Sequence, residues 1–288
     1  MIRINNLKVE YKDKRALDID KDIVFEDKQK IGIIGSNGAG KSTLVKAILG
    51  LVDYQGFIYN DVDSDKIAVH MQFNNYSDNI KTRDIMQMIC NKKIEADPNL
   101  YDLVKYFDFE KLLKKNFKEL SGGEKQKLTL ILVLWQNSPL TIFDEVTTGL
   151  DFVTRKSLME KIVDYYKDKD TTILLVSHYY EELENICDKL LYLSDGKVLF
   201  FGDKKKLFKK YCADSVILVD KNDITDKILS KANRIEAMEN KIALGFFDIK
   251  EEKKVIHDLI DNNQNFQRMN ESIELTVLNA IKKEEICK

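Results

Sequence analysis

One stretch near the amino terminus constrains the fold of this chain more than any other. Residues 35–43 read GSNGAGKST, which matches the pattern G-x-x-x-x-G-K-[ST]. An apolar run at residues 31–34 precedes it and a helical pattern begins at Lys41, so the pattern lies in the strand–loop–helix context that it requires. The sequence therefore predicts an α/β domain in which a glycine-rich loop leads from a strand into a helix.

The residue types in this loop are those of a phosphate-binding site. Glycines allow backbone N–H groups to close around phosphate oxygens, and the helix N-terminus adds unpaired donors and a positive dipole end. We expect Lys41 to bring a full positive charge to the β- and γ-phosphates, and the Ser42 hydroxyl to ligate Mg²⁺. The candidate nucleotide-binding residues are Gly35, Ser36, Asn37, Gly38, Ala39, Gly40, Lys41, Ser42 and Thr43.

Two carboxylates follow a second strand-like run. Residues 140–143 (LTIF) end at Asp144 and Glu145. An acid at a strand end beside a phosphate loop can hold Mg²⁺, usually through water, and a second acid can orient or deprotonate an attacking water. The sequence predicts Asp144 as a metal ligand and Glu145 as a catalytic carboxylate. The structural alternative is an acidic strand end in solvent.

A second glycine-rich helix start lies between these two motifs, at residues 120–124 (LSGGE). Ser121 followed by Glu124, before an apolar helix at 124–136, forms a capping box, which is an ordinary structural device. A bare helix N-terminus with a serine hydroxyl and two residues without side chains, Gly122 and Gly123, can also accept a phosphate. Both interpretations stay open from the residues alone, because they share one geometry.

Short strands and helices alternate along most of the chain, which favours a mostly parallel sheet. Strand-like runs lie at 2–4, 23–25, 31–34, 56–59, 67–69, 141–143, 172–176, 190–193, 197–201 and 215–220. Helical spacing is found at 41–49, 78–118, 124–136, 154–167, 223–232, 250–260 and 271–283. The runs at 190–193 and 197–201 flank Ser194-Asp195-Gly196, which predicts a hairpin. We expect a nucleotide-binding domain at 1–213 and an accessory domain, without a chemical motif, at 214–288.

Composition argues against several classes of protein. With 46 basic and 48 acidic residues there is no net field to attract nucleic acid, so we expect no nucleic-acid partner. The longest apolar run, 128–135, is interrupted by Thr129 and is far shorter than the roughly 20 residues that cross a bilayer. The amino terminus lacks the apolar core of a signal peptide. Four widely spaced cysteines without a C-x-x-C pair favour reduced thiols. A cytoplasmic protein is therefore expected.

The order of the motifs carries a resemblance to a known family. Along the chain come the phosphate loop, Gln72, the LSGG run, the acidic pair, Gly149-Leu150-Asp151 and His178. This order is similar to that of the nucleotide-binding subunits of ABC (ATP-binding cassette) transporters, and the likeness covers about residues 1–205. It implies an α/β fold with a P-loop NTPase core, a mostly parallel sheet, a small antiparallel β-subdomain and a helical subdomain at about 73–135. Residues 214–288 would form a small α+β appendage.

The resemblance also implies roles around the chain's own nucleotide. Gln72 resembles the family's glutamine that touches Mg²⁺ and senses the membrane partner. Glu145 resembles the catalytic carboxylate, His178 the switch histidine on the γ-phosphate, and Tyr11 the aromatic that stacks on adenine. The structural alternatives are a surface amide for Gln72, a hydrogen-bonded structural histidine for His178 and a core aromatic for Tyr11.

Other residues resemble ones that act across a dimer. Ser121 and Gly123, with Gly122 between them, resemble the signature loop, which in the family grips the γ-phosphate of ATP bound to the other subunit. Asp151 resembles the D-loop aspartate, which crosses the dimer interface. The resemblance thus implies ATP and Mg²⁺ as ligands and a second copy of the chain as a partner in an ATP-dependent dimer.

Three departures from the family pattern are visible. Glu124 stands where the signature often has glutamine, although it still completes the capping box. Val146 stands where proline is usual, which leaves the turn after Glu145 less constrained. Gly35 and Gln72 are closer together than in many relatives, so the β-subdomain should be trimmed.

The resemblance implies an ATP-hydrolysing subunit that energises an integral membrane permease on a separate chain. We expect it at the cytoplasmic face of the plasma membrane, with residues 73–88 contacting the permease. A single cassette with a C-terminal appendage is similar to exporters of drugs, antimicrobial peptides or lantibiotics. The alternatives are the ATPase of an ABC importer and a soluble ABC ATPase that moves no solute.

Overall fold

The computed structural model describes residues 1–12, 14–72, 76–222, 225 and 233–286. These residues form two compact units, one on each side of the bond between Val198 and Leu199, and each has a buried core of its own. Cys90 and Cys212 are buried free thiols, and Cys287 lies outside the described residues.

Strands and helices of the first unit follow the predicted order closely. The strands are β1 (Ile2–Tyr11), β2 (Lys14–Ile19), β3 (Ile23–Phe25), β4 (Lys30–Gly35), β5 (Gln55–Asn60), β6 (Ile67–His70), β7 (Leu140–Asp144), β8 (Thr172–Val176) and β9 (Lys189–Ser194). The helices are α1 (Lys41–Ile48), α2 (Thr82–Cys90), α3 (Pro98–Tyr106), α4 (Gly122–Trp135), α5 (Phe152–Tyr166) and α6 (Tyr180–Ile186). Short 3-10 turns lie at Ser64–Lys66, Ile94–Ala96, Glu110–Lys114 and Phe117–Glu119.

A parallel sheet forms the centre of the first unit. Its strands lie in the order β9-β4-β8-β7-β6, and each neighbouring pair is parallel. Every residue of β7 and β8 is buried, as expected for strands covered on both faces. Because the strands run the same way, their carboxyl ends meet at one edge. This edge brings together the phosphate loop after β4, Gln72 after β6, the acidic pair at β7 and His178 after β8.

A smaller antiparallel sheet confirms the predicted β-subdomain. The long strand β1 pairs with β2 and β3 on one edge and with β5 on the other. The β1–β2 pairing places Lys14 opposite Tyr11. The sequence does not predict β2, because its first two residues are both charged and the strand signal is correspondingly weak.

The helical subdomain is also confirmed, with α2, α3 and α4 between residues 82 and 135. Residues 128–134 of α4 are buried on every side of the helix, which explains why all of them except Thr129 are apolar. Residues 73–75, where the predicted permease contact begins, lie outside the described residues. Within the part of the chain that the structure describes, no helix combines the length and the apolarity that a membrane crossing needs.

The second unit is a four-stranded antiparallel sheet with helices on both faces. Its elements are α7 (Lys204–Tyr211), β11 (Ser215–Asp220), β12 (Arg234–Ile235), β13 (Lys241–Phe246), α8 (Ile249–Asp261), β14 (Phe266–Met269) and α9 (Ile273–Ile286), and the strand order is β12-β13-β11-β14. Leu259 of α8 packs on one face, and Phe208 of α7 and Leu275 of α9 pack on the other. The predicted strand at 215–220 and helices at 250–260 and 271–283 are confirmed. The predicted helix at 223–232 lies outside the described residues, except for Thr225.

The chain divides into its two compact units between Val198 and Leu199. The hairpin at Asp195-Gly196 is present, with φ of 47° and 77°, and it leads from β9 into β10 (Lys197–Asp203). The second unit begins at Leu199, because Phe208 and Cys212 belong to its buried core. A functional boundary at residue 213 stays a prediction.

Candidate active site

A cavity of about 800 Å³ opens at the carboxyl edge of the central sheet. Four strand ends and the β1–β2 hairpin supply its walls. The lining residues are Tyr11, Lys14, Ala16, Asn37, Gly38, Gly40, Lys41, Ser42, Thr43, Gln72, Glu145, Thr148 and His178. Candidates from five separate parts of the sequence therefore share one cavity, and its size suits a nucleotide-sized ligand.

The phosphate loop is shaped by a glycine that no other residue could replace without strain. Gly40, directly before α1, has φ of 103°, and a Cβ there would lie 2.6 Å from Leu17 Cδ2 and 2.7 Å from the Ala16 carbonyl oxygen. Both the backbone conformation and the close approach thus require glycine. Ala16 and Leu17 of β2 therefore pack directly against the phosphate loop at Gly40.

Lys41 lies in the wall of the cavity, almost completely buried, and its ammonium donates to the loop. Nζ is 2.9 Å from the Gly35 carbonyl oxygen and 3.1 Å from that of Ser36. Burial lowers the pKa of Lys41, while the charges of Glu145 and Asp144 act in the opposite direction. A cation held in this way is ready to exchange backbone carbonyls for phosphate oxygens.

Ser42 and Asp144 form an oxygen-rich pair beside Lys41. The Ser42 hydroxyl lies 3.2 Å from Asp144 Oδ1, and Asp144 is buried at the end of β7. Burial raises the pKa of Asp144, and the nearby Glu145 adds to the shift, whereas Ser42 and Lys41 oppose it. Hydroxyl, carboxylate and amide oxygens are the donors that Mg²⁺ prefers, so the residues present fit this ion.

Glu145 is the most tightly held side chain in the cavity. Its carboxylate accepts from Gln72 Nε2 at 2.8 Å and Thr148 Oγ1 at 3.2 Å, and it lies 2.6 Å from His178 Nε2. Its backbone has φ of 55°, a conformation that costs energy for a residue with a side chain. A bond of 3.0 Å from its N–H to the Val176 carbonyl holds this turn. The structure thus brings Gln72, Glu145 and His178 into direct contact.

The β1–β2 hairpin contributes residues that sequence reasoning partly missed. Tyr11 is 44% exposed and lines the cavity, so it is not a core aromatic. Lys14 and Ala16 line it too, because Lys14 pairs with Tyr11 across the hairpin. In the sequence, the only hint of Lys14 is a charged residue close to the aromatic Tyr11. The β1–β2 register is needed to show that the two residues lie side by side at the cavity.

The Ser121 loop, residues 120–124, lies outside this cavity. The capping box is present: Glu124 N–H donates to Ser121 Oγ at 3.3 Å, and Ser121 N–H donates to Glu124 Oε2 at 2.7 Å. Lys115 Nζ adds a bond of 3.1 Å to Glu124. Ser121 and Gly122 are exposed, so the loop is ordered by local bonds and leaves its helix end accessible.

Asp151 lies close to the Ser121 loop rather than in the cavity. A Cβ at Gly123 would meet Thr154 Cγ2 at 3.0 Å, and the Asp151 carboxylate caps α5 by accepting from the N–H groups of Val153 and Thr154 at 3.0 and 3.1 Å. Phe152 and Val153, next to it, are 61% and 73% exposed. The two motifs that resemble dimer-forming ones are therefore neighbours on one exposed, partly apolar surface.

Known proteins match the chain over this same region. A family model described as "ABC transporter" matches residues 20–148. The tungstate uptake system ATP-binding protein TupC of Peptoclostridium acidaminophilum is 30% identical over 212 residues, which cover 68% of this chain and 96% of TupC. The methionine import ATP-binding protein MetN of Clostridioides difficile (strain 630) is 28% identical over 258 residues, which cover 83% of this chain and 78% of MetN.

A solved structure shows the fold independently. The dimeric, post-hydrolysis structure of the ATP-binding cassette MJ0796, bound to ADP and phosphate, superposes with a TM-score of 0.60 at 22% identity. The match covers 70% of this chain and 98% of that one. The predicted P-loop fold with its helical subdomain is thereby confirmed.

Proposed function

The chain belongs to the family of ABC transporter ATP-binding proteins, and on this premise we propose that it works as an ATP-dependent dimer that drives solute import through a permease on a separate chain. ATP binding and ATP hydrolysis follow from membership of the family. One observation carries the dimer: the exposed Ser121 loop does not line the phosphate cavity that contains Lys41 and Glu145.

Hydrolysis takes place in the phosphate cavity. Lys41 exchanges its two carbonyl partners for the β- and γ-phosphates of ATP. Glu145 accepts a proton from a water whose oxygen attacks the γ-phosphorus, while the bond to the bridging oxygen of ADP breaks. Gln72 and His178, which contact the Glu145 carboxylate, keep it aimed at this water. A base positioned in this way contributes about 10²–10⁴-fold to the rate.

Ser42 and Asp144, with the amide oxygen of Gln72, are the residues that would hold Mg²⁺. The ion, when bound, neutralises charge on the phosphate oxygens. Tyr11 would stack on the base of the nucleotide, a role that its exposure and its place in the cavity lining support. The positions of Ser42, Gln72 and Tyr11 in the cavity lining, and the contact of Asp144 with Ser42, support these assignments.

The second half of each ATP site comes from the partner copy. The N-terminus of α4 offers a serine hydroxyl, unpaired N–H donors and two residues without side chains to an anion. It does not line the cavity that would hold the chain's own nucleotide, which supports its use by the partner copy. Exposed Phe152 and Val153 beside Asp151 supply apolar surface for the same interface. ATP then joins two chains, and hydrolysis weakens the joint by separating phosphate from ADP.

Import is favoured over export by the relatives. TupC and MetN are named for tungstate uptake and methionine import, and together they match most of the chain. The expected export of a drug, antimicrobial peptide or lantibiotic finds no support in these relatives. The importer alternative is therefore the better proposal, with a small ion or amino acid as the class of solute.

The permease partner would dock on the helical subdomain, at the cytoplasmic face of the membrane. Met88 and Ile89 of α2 are 70% and 47% exposed. Two adjacent apolar side chains on one helix support this surface as the contact with a short permease helix.

Complementation between two inactive variants tests the shared site. Lys41→Ala disables the phosphate cavity, and Ser121→Arg blocks the loop offered to the partner. Each variant alone should have little ATPase activity. In a mixture, a heterodimer has one site built from an intact cavity and an intact Ser121 loop. With random pairing, activity should return to about a quarter of that of wild type, because half the dimers carry one good site of two.

A matched mixture supplies the control. Lys41→Ala and Glu145→Gln damage the same half of the site, so their heterodimer has no intact site and no activity should return. If the ATPase activity of the Lys41→Ala and Ser121→Arg mixture equals the average of the two separate variants, the proposal of a shared site is wrong. Recovery also proves that both variants fold.

Direction of transport is measured with the permease that copurifies from membranes. The complex is inserted into vesicles so that the ATPase faces the external solution. The vesicles are preloaded with tungstate or methionine as the probe. An importer should deplete the lumen when ATP is added outside. In matched vesicles with the probe supplied outside, ATP-driven accumulation in the lumen would instead support export.

A further inference from the structure

The carboxylate of Glu182 is buried in the first unit, outside the nucleotide cavity. The residue is 6% exposed, although Glu181 beside it on α6 is exposed. Burial raises the pKa of Glu182, while its hydrogen bonds and the charge of Arg155 act in the opposite direction. A buried carboxylate is costly unless hydrogen bonds and an opposite charge compensate it, so its partners identify what it holds in place.

Two hydroxyl groups donate to this carboxylate, one on each of the loops that carry the hydrolytic residues. Thr147 Oγ1 lies 2.7 Å from Oε1, and Ser177 Oγ lies 2.6 Å from Oε2. Thr147 follows Glu145 by two residues, and Ser177 directly precedes His178. One side chain therefore ties together the two backbone segments whose side chains meet at 2.6 Å.

The same contacts reach the segment that begins at Asp151. Ser177 Oγ also accepts from the N–H of Tyr179 at 2.9 Å, so the backbone on both sides of the histidine is held. Arg155 of α5 places Nε 3.8 Å from Glu182 Oε1, and its guanidinium carbon lies 3.7 Å from the centre of the Tyr179 ring. This stacked, charged contact joins α5 to the loop after β8.

We propose that Glu182 is a positioning residue, which holds His178 against Glu145 and links both to the Asp151 segment. The inference rests on the proposed roles of Glu145 and His178 in hydrolysis. Because Glu182 does not line the cavity, it acts on turnover and not on ATP binding. Without Glu182, the carboxylate that joins the loop of Thr147 to that of Ser177 is lost, and the distance between Glu145 and His178 is no longer fixed.

Steady-state kinetics of the full chain test this proposal. Glu182→Ala should lower kcat about 10–100-fold, the scale of a base displaced by roughly 1 Å, while KM for ATP and the affinity for a fluorescent ATP analogue stay within about twofold. Glu182→Gln should lie between, because an amide oxygen accepts one of the two hydroxyl bonds and its NH₂ group cannot accept the other. Glu181→Ala, on the same helical turn, is the matched control and should behave as wild type.

A second pair of variants keeps the test decisive if Glu182→Ala folds poorly. Thr147→Val and Ser177→Ala each remove one hydroxyl and should each lower kcat severalfold without changing KM. Adding either change to Glu182→Gln should give less than the product of the single effects, since partners in one network are not additive. Multiplicative effects, or unchanged kcat in every variant, would overturn the proposal.

The Glu145→Gln variant separates failure of this inference from failure of the proposed function. If Glu145→Gln is inactive and Glu182→Ala has wild-type turnover, Glu182 is not a positioning residue but the hydrolytic site stands. If Glu145→Gln itself keeps wild-type turnover, the proposed site fails and the inference fails with it.

Discussion

The phosphate cavity and the Ser121 loop are built in opposite ways. The cavity collects residues from strand ends far apart in sequence and holds them through partly buried contacts such as Ser42–Asp144 and Gln72–Glu145. The Ser121 loop is ordered by a capping box whose two members are three residues apart. The first is a product of the tertiary fold, and the second is a local structure on an exposed helix end.

This difference separates what each region contributes. Damage to the cavity should remove binding or chemistry within a single chain. Damage to the Ser121 loop should leave a single chain able to bind ATP. Its effect should appear only in the dimer, as a loss of ATPase activity.

The largest effect is expected from Glu145→Gln, which removes the proton acceptor but keeps the shape. Turnover should fall about 10³-fold, within the range for a general base, while ATP binding persists. Since the nucleotide then stays intact between two chains, size-exclusion chromatography with ATP and Mg²⁺ should show a dimer. The double variant Lys41→Ala, Glu145→Gln is the control and should stay monomeric. A monomeric Glu145→Gln with normal turnover contradicts the assignment.

Lys41→Ala should produce the next largest effect, on binding itself. The ammonium is the one full positive charge that the cavity lining places inside the phosphate loop, and its loss should weaken ATP binding about 100-fold by calorimetry, as expected for a lost charge-assisted contact. Ser121→Arg is the comparison from the other region and should bind ATP as the wild type does. Equal losses in both variants would mean that the two regions form one site within a single chain.

Much of the cavity could be predicted because its residues are strand-end residues. Lys41, Asp144 and His178 each follow a recognisable apolar run, and parallel strands bring such ends to one edge. Lys14 and the Glu182 contacts could not be predicted in this way. Lys14 reaches the cavity only through the hairpin register with β1, and the Glu182 partners are neighbours only in the folded chain.

The second unit was less predictable for similar reasons. Its strand β13 contains Ala243 and Gly245, which have low strand propensity, so no strand pattern stands out. The start of the unit depends on Phe208, whose packing partners lie elsewhere in the sequence. The expectation of export rested on the presence of an appendage at 214–288, not on any residue that contacts a solute.

A buried histidine should make the cavity side of the first unit sensitive to acid. His70 ends β6, two residues before Gln72, and neither ring nitrogen makes a hydrogen bond of normal geometry among the described residues. Burial lowers the pKa of His70 to about 4, below its ordinary value near 6.5. The unfolded chain therefore binds a proton first as the pH falls, so stability is complete above about pH 6.5 and is lost towards pH 4.

Replacing this histidine tests the effect. Between pH 7 and pH 5 the wild type should lose about 2 kcal/mol more free energy of unfolding than His70→Leu does. Urea unfolding followed by the fluorescence of Trp135, the chain's single tryptophan, reports on the first unit. His257→Leu, an exposed histidine of the second unit, is the control and should leave this pH dependence unchanged. If the free energy of unfolding falls with pH by the same amount in wild type and His70→Leu, the prediction is contradicted.

Ser121→Ala distinguishes the two interpretations of the Ser121 loop. If the serine grips the partner's nucleotide, ATPase activity should fall about 10-fold, the loss of roughly one hydrogen bond to a charged group, with ATP binding unchanged. Glu124→Ala removes the other member of the capping box and should keep most of the activity. Equal loss of activity in both variants would show that only helix capping matters.

The smallest effect is expected on stability, from the capping box alone. Glu124→Ala removes the acceptor of the Ser121 N–H and of Lys115, and should lower the free energy of unfolding by about 1 kcal/mol, the usual cost of a lost cap. Trp135 ends the same helix and is again the probe.

Burial alone would raise the pKa of Glu124, but the bonds from Ser121 and Lys115 outweigh it and hold the pKa below its ordinary value. The charge therefore stabilises the fold above about pH 4.5, and this contribution is lost as the pH falls through the lowered pKa. The difference between wild type and Glu124→Gln should accordingly disappear in acid, while that between wild type and His70→Leu changes most between pH 7 and pH 5. Separate pH ranges for these two differences would support both assignments, whereas a single shared transition would contradict them.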